Sequence, residues 1–274
     1  MSCDLKQVAR DIRCNIVECI GSIGVGHIGG CLSIADLLAV LYFQEMNVDP
    51  QNPKMPGRDR LICSKGHAGP AVYSALALRG FFDKELLYTL NKNGTMLPSH
   101  CDMNKTPGID MTAGSLGQGF SCACGAALGS KMAKDGAIIY TIIGDGESQE
   151  GQIWEAAMFA PAKKLDNIIA FTDYNKMQID GTVDQICDIA PLGDKWRAFG
   201  WNVIELEDGH DVYAISDAIK AAKANIGSGK PTMIILNTVK GKGISFIEAL
   251  GVGSHSTNLS AEDVQRALAE IRGE

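Results

Sequence analysis

Asp145 and Asn175 are the first residues from which chemistry can be read. Asp145 lies between two glycines in Gly144-Asp145-Gly146, and 28 residues (147 to 174) separate that triplet from Asn175. Each closes an apolar run: Ile138 to Ile143 precedes the triplet, and Ile168 to Phe171 precedes Thr172-Asp173-Tyr174-Asn175. Two hard oxygen donors with coordination positions to spare suit Mg²⁺, which takes few protein ligands and fills its shell with phosphate oxygens and water. The glycines let backbone turn sharply and approach a diphosphate. A helix opening near Ser148 would add free N–H groups and a positive dipole end. The same residues would also form an ordinary tight turn capped by Asp145, so spacing alone leaves a metal–diphosphate cradle and a plain turn both open.

Histidine and glutamate supply the remaining candidates. His27 lies in Gly24-Val25-Gly26-His27-Ile28-Gly29-Gly30, His67 in Ser64-Lys65-Gly66-His67-Ala68, His100 after Leu97-Pro98-Ser99, and His255 in Gly253-Ser254-His255-Ser256. Imidazole titrates near neutrality and so suits proton transfer and hydroxyl recognition. Each could equally be a polar loop residue. Glu150 falls where an acid favours a helix N-terminus.

These residues need elements to position them. The two apolar runs read as strands buried on both faces, joined by a helix from about Ser148 to Lys164, which makes them parallel. Their carboxyl ends then share one sheet edge, where open α/β folds bind ligands. The alternation extends in both directions. Strands are expected at Arg60–Cys63, Trp201–Leu206 and Thr232–Leu236. Helices are expected at Leu5–Ile23, Ser33–Met46, Pro70–Arg79, Phe81–Asn91 with Asp83 as N-cap, Phe120–Lys131, Pro191–Phe199, Val212–Asn225 and Ala261–Ile271. Gly24–Gly30 and Asn47–Arg60 read as loops, the latter with three prolines. The sequence predicts an α/β, doubly wound and mostly parallel sheet flanked by helices, in one domain over 1–274.

Composition narrows the function classes. The chain has 274 residues, 46% of them hydrophobic and 21% charged, with a net charge of -7. No basic stripe exists to bind nucleic acid. No apolar run approaches the roughly 18 residues of a membrane span, and the polar start MSCDLKQVARDIRC resembles no leader. The nine cysteines, at 3, 14, 19, 31, 63, 101, 122, 124 and 187, include no C-x-x-C pair. They read as reduced thiols of a cytoplasmic protein.

The Gly144-Asp145-Gly146…Asn175 text resembles the thiamine-diphosphate signature, and GDGESQEGQIWEAAMFA with NKMQIDG resembles the transketolase family in particular. GHIGGCLSIADLL, SKGHA, and Gly114 to Gly119 (GSLGQG) extend the likeness over most of the chain. The closing segment around His255 continues it, without the His-Gly pair usual in the family. The resemblance implies a diphosphate-binding domain for thiamine diphosphate with Mg²⁺ (Ca²⁺ or Mn²⁺ as substitutes). It implies Asp145, Asn175 and the Met177 carbonyl as metal ligands. His67, Gly114, Ser115, Leu116, Gly144, Asp145, Gly146, Glu147, Glu150, Asn175, Ile179 and His255 would meet the cofactor. His27, His67, His100, Glu150 and His255 would act in catalysis. The implied reaction moves a two-carbon ketol unit from a ketose phosphate to an aldose phosphate. In the family Glu150 pairs with a second Glu on a pyrimidine-binding domain, and no such domain is visible here. The resemblance therefore implies a split enzyme whose second subunit carries the pyrimidine-binding and C-terminal domains, in an α2β2 assembly. Two other expectations compete: an α-type subunit of a 2-oxoacid dehydrogenase or a deoxyxylulose-phosphate synthase-like enzyme, and a non-catalytic regulatory paralogue.

Overall fold

The computed structural model describes residues 4–273. Its strands are β1 (Val25–Gly26), β2 (Arg60–Cys63), β3 (Ile139–Gly144), β4 (Ile168–Tyr174), β5 (Asn202–Leu206), β6 (Thr232–Asn237) and β7 (Thr257–Asn258). Five of them form a wholly parallel sheet in the order β2-β3-β4-β6-β5, and β1 pairs antiparallel with β7. Successive side chains leave a strand on opposite faces, and both faces are apolar. Tyr140, Ile142, Ile169, Phe171, Ile234 and Leu236 point into one core, while Ile139, Ile143, Ile168, Ala170, Met233 and Ile235 point into the other.

The first core is covered by the helices Leu5–Gly21, Ala35–Val40, Gly69–Arg79, Val212–Ala224 and Ala261–Arg272. Asp4 caps the first of these by accepting from Lys6 and Gln7 N–H, and Ser260 and Asp263 close a capping box on the last. The second core is covered by Gln118–Ala133, Gly151–Ala162 and Leu192–Ala198. Aromatic rings fill it: Trp196 lies 5.1 Å from both Trp154 and Trp201, and 5.8 Å from Phe120. The doubly wound expectation therefore holds.

Several local expectations need correction. The stretch Ser33–Met46 is not one helix: Ile28–Leu32 and Ala35–Val40 are separate α-turns, and Leu41–Glu45 continues as a π-turn. Glycines 29 and 30, read as loop, lie inside the first of these, and Val25–Gly26 is strand. The Phe81–Asn91 helix is a 3₁₀ segment, Lys84–Thr89, capped by Asp83 as expected. β4 does not stop at Phe171 but continues through Asp173 to Tyr174. Tertiary pairing with β6 overrides the polar sequence there, since Asp173 faces Leu236 and Tyr174 faces Asn237. Eight cysteines are free thiols, six of them buried, and Cys3 lies outside the described residues. Cys122 is exposed while Cys124 is buried. No helix among the described residues is long and apolar enough to cross a membrane.

Candidate functional site

The loops leaving β2, β3, β4 and β6, four adjacent strands, meet at the carboxyl edge of the sheet. They enclose a cleft of about 360 Å³ lined by His27, Lys65, His67, His100, Asp145, Asn175, Met177, Lys240 and His255, among others. Two neighbouring carboxylates with opposite environments lie at its base, Asp145 on the lining and Asp173 behind it. Asp173, wholly buried, accepts from Lys65 Nζ at 2.5 Å, Ser33 Oγ at 2.7 Å, Asn175 Nδ2 at 3.0 Å and Thr238 Oγ1. Burial opposes its charge, but the Lys65 ammonium and these donors outweigh burial and hold the carboxyl below its ordinary range. Asp145 receives only backbone N–H donors, from Gly146 at 2.7 Å and from Lys176. Burial, reinforced by the charge of Asp173, pushes it up to about 7. It is a buried carboxylate that lacks a cation of its own among the described residues.

That deficit is the test of fit for a metal. Asn175 Oδ1 and the Met177 carbonyl lie on the same turn, held by the Met177 N–H to Asn175 Oδ1 bond of 3.1 Å. With the Asp145 carboxylate they make an all-oxygen donor set of the kind Mg²⁺ prefers. Lys176 takes a positive φ of 66° to bend this turn. Gly146 keeps the approach narrow, because a Cβ there would meet the Gln178 side chain at 3.0 Å. The residues fit a divalent cation bound with a diphosphate.

The imidazoles gather on the opposite wall. Ring centroids lie 5.5 Å apart for His27 and His67, 5.8 Å for His27 and His100, 5.3 Å for His27 and His255, and 5.1 Å for His67 and His255. Lys240 joins them, its Nζ 3.1 Å from His255 Nδ1 and 3.2 Å from the Met177 carbonyl. Burial and then the Lys65 charge lower Lys240 to about 8. Burial and then Lys240 lower His255 to about 3. Burial lowers His27, with His100 and Lys240 adding to it, and burial with Lys65 puts His67 well below its ordinary value. His27, His67 and His255 are therefore neutral rings, each able to donate and accept one hydrogen bond. Lys240 leaves this wall positive, as an anionic ligand requires, while the Lys65 charge is paired with Asp173.

The Gly114–Gly119 turn forms the third side. Glu147 ties it to the Asp145 turn: it accepts from Gly117 N–H at 2.8 Å, from Gly144 N–H at 3.0 Å and from Ser64 Oγ. Its carboxylate is occupied by protein donors, and burial raises its pKa. The turn also depends on Gly66, where a Cβ would fall 2.2 Å from the Ala113 carbonyl oxygen. Gly66→Ala should therefore lower stability by about 1–3 kcal/mol, as overpacking does. A thermal-unfolding comparison with the wild type checks this, and an unchanged Tm would contradict the contact.

Most of the sequence-predicted residues meet in this cleft. Gly114, Leu116, Gly144, Gly146, Glu147, Glu150 and Ile179 line it with the residues already named. Ser115 does not: it is exposed and faces an adjoining depression shared with His100 and Asp102. Ile179 stands 65% exposed on the turn after β4. Glu150 is exposed at the start of Gly151–Ala162, and its side chain makes no capping bond. Its place at the N-cap still lets the helix dipole favour an acid there. Sequence reasoning missed Lys65, Asp173 and Lys240. Their signals were weak but present: Lys65 is charged amid Ser64-Lys65-Gly66-His67, Asp173 sits where an apolar strand continues, and Lys240 opens a Lys-Gly-Lys-Gly run.

Comparison with known proteins agrees with this architecture. Residues 5–272 match the family described as the transketolase, thiamine diphosphate binding domain. The chain is 59% identical to the 6-deoxy-6-sulfo-D-fructose transketolase subunit SqwG of Clostridium sp. (strain MSTE9), over 99% of this chain and 97% of that one. It is 38% identical to an apulose-4-phosphate transketolase subunit of Phocaeicola vulgatus, over 94% of this chain and 90% of that one. The transketolase of Leishmania mexicana superposes with a TM-score of 0.93 at 29% identity, covering 99% of this chain and 42% of that larger one. Human transketolase is 37% identical over 89% of this chain, and the match spans 38% of its length. A sheet edge that gathers a cation-deficient Asp145, two lysines and neutral imidazoles thus has the same frame as these enzymes, and the chain belongs to the transketolase family, matching its thiamine diphosphate binding domain.

Proposed function

We propose that this chain, acting with a second subunit, transfers a two-carbon ketol unit from a ketose to an aldose phosphate, using thiamine diphosphate and Mg²⁺. The observation that carries the reading is the buried, cation-deficient Asp145 facing Lys240 and the imidazole wall across one cleft. Asp145, Asn175 and the Met177 carbonyl would hold Mg²⁺. His67, His255, Lys240 and the Gly144–Gly146 backbone would meet the diphosphate. Gly114, Leu116 and Ile179 would pack on the rings. Bound there, thiamine diphosphate supplies the carbanion-stabilising centre that carries the ketol unit. His27, His67 and His100 would hydrogen-bond sugar hydroxyls and shuttle their protons. Ser115, between Gly114 and Leu116, would meet the cofactor through its backbone while its side chain lines the adjoining depression, and Glu147 would brace the two glycine turns.

The partner is inferred from what the surface leaves open. Helices Gln118–Ala133 and Gly151–Ala162 carry one charged residue each, Lys131 and Glu155, and expose Met132, Met158 and Phe159. Such helices are normally covered. Glu150 stands beside them with a free carboxylate, suited to pair with an acid from a pyrimidine-binding subunit in an α2β2 enzyme. We place that enzyme in the cytoplasm, because its buried thiols are unpaired. The higher identity to the sulfofructose-acting relative favours 6-deoxy-6-sulfofructose over apulose 4-phosphate as donor.

The test is reconstitution. The chain alone should show no ketol transfer, and adding its co-purified partner should restore transfer from 6-deoxy-6-sulfofructose to an aldose phosphate. Robust activity of the chain by itself would overturn the split reading. Glu150→Gln in the complex should retain cofactor binding and lose roughly 10²–10⁴-fold in kcat, the usual share of a proton-transfer group. A rate within threefold of wild type would remove Glu150 from the mechanism.

A further inference from the structure

Lys240 is held in place from behind. The Val239–Gly243 turn that carries it is gripped at two points by side chains outside the cleft. Val239 N–H donates to His210 Nε2 at 2.8 Å, and Arg13 Nε donates to the Lys242 carbonyl at 3.0 Å. Asp36 joins the two grips: it accepts from His210 Nδ1 at 2.8 Å and from both terminal nitrogens of Arg13. All three side chains are under 10% exposed. A backbone N–H has only a proton to offer, so His210 Nε2 must be the acceptor and Nδ1 must carry the ring proton. Asp36 fixes that tautomer, as the carboxylates behind many functional histidines do. Gly241 and Gly243 take φ of 87° and 94°, and a Cβ on Gly243 would meet Arg13 Cδ at 3.1 Å, so the turn lies closely against its clamp.

We infer that His210, oriented by Asp36, is a positioning residue that sets the Lys240 turn, and through it the affinity for the cofactor diphosphate. The inference rests on the reading that Lys240 faces that diphosphate. His210 touches neither substrate nor cofactor and acts by accepting the Val239 N–H.

The two ring nitrogens can be tested apart. In His210→Gln the amide oxygen takes the place of Nε2 and keeps the Val239 bond. In His210→Asn the amide nitrogen takes the place of Nδ1, keeps the Asp36 bond and drops Val239. In the complex with the partner subunit, half-saturation by thiamine diphosphate with Mg²⁺ is read by tryptophan fluorescence. His210→Asn should raise it about tenfold, and His210→Gln should stay within about threefold of wild type. Amide hydrogen exchange across residues 239–242 should quicken in the first variant and not in the second. Lys240→Met should weaken binding on the order of 10- to 100-fold, and His210→Asn should add nothing to it, because both act through one ammonium. Full additivity of the two, or equal behaviour of Asn and Gln at position 210, would overturn the positioning role alone. No effect of Lys240→Met would overturn the functional reading of Lys240 and this inference with it.

Discussion

Asp145→Asn should bind thiamine diphosphate no better with Mg²⁺ than without it, and ketol transfer should fall by three orders of magnitude or more. The reason is the charge balance of the cleft floor. Wild-type Asp145 is buried with two backbone donors and, among the described residues, no paired cation. A divalent ion there would neutralise a charge that the fold leaves uncompensated. Asparagine keeps the size and one acceptor oxygen but removes the charge. Metal-dependent stabilisation should disappear with it. At a hundredfold excess of ligand over Kd, linkage predicts about 2.7 kcal/mol for the wild type, or roughly 5 °C in Tm for a chain of this length. The variant should show less than a fifth of that shift. Without metal, the two Tm values should lie close together, since the lost buried charge is offset by one backbone N–H left facing the amide nitrogen. Calorimetric scans with and without Mg²⁺ and cofactor check both halves. A full Mg²⁺-dependent shift in Asp145→Asn would remove this residue from the metal site.

Asp173→Ala should cost about 3–5 kcal/mol of folding stability, the usual price of orphaning a buried ion-pair partner. The lost partners explain the size. Lys65 Nζ would keep only the Gly30 carbonyl at 2.8 Å, and Ser33, Thr238 and Asn175 would lose their common acceptor. In thermal unfolding this is a drop of roughly 5–10 °C. Removing both charges, as in Lys65→Met with Asp173→Leu, should recover more than half of the loss, because two well-packed apolar groups can replace a buried pair. Cofactor binding should not return, since Asn175 Nδ2 would still lack the acceptor that fixes its amide, whose oxygen we propose as a metal ligand. Recovery of both stability and binding would show that Asp173 serves only the fold.

The sheet was legible because its strands are apolar on both faces, and composition alone identifies such strands. The site was legible where chemistry requires an unusual residue type at a strand end: Asp145 between glycines, Asn175 after a polar stretch, His67 after Cys63-Ser64-Lys65-Gly66. What stayed hidden depends on chain segments far apart in sequence. Lys65 and Asp173 are 108 positions apart, and each alone reads as an ordinary charged residue near a loop. His210 and Asp36 are 174 apart. Local pattern also misled where tertiary pairing prevailed, as when β6 drew Asp173 and Tyr174 into the sheet. Helix breaks within residues 28–45 were invisible for another reason. The apolar residues of Ser33–Met46 recur at helical spacing throughout, so the breaks at Ser33–Ile34 and Leu41–Glu45 leave no mark in the pattern.

The sparsely charged helices Gln118–Ala133 and Gly151–Ala162 have a consequence at the level of synthesis. Met132 is 76% and Met158 56% exposed in the single chain. A cell making more of this chain than of its partner would accumulate molecules with an adhesive flank, prone to self-association and to capture by quality-control machinery. For the two-subunit enzyme proposed above, balanced output of the two polypeptides is then a condition of solubility as well as of turnover. Separating an enzyme into two polypeptides places that burden on gene expression, where a single continuous polypeptide meets it by covalent linkage.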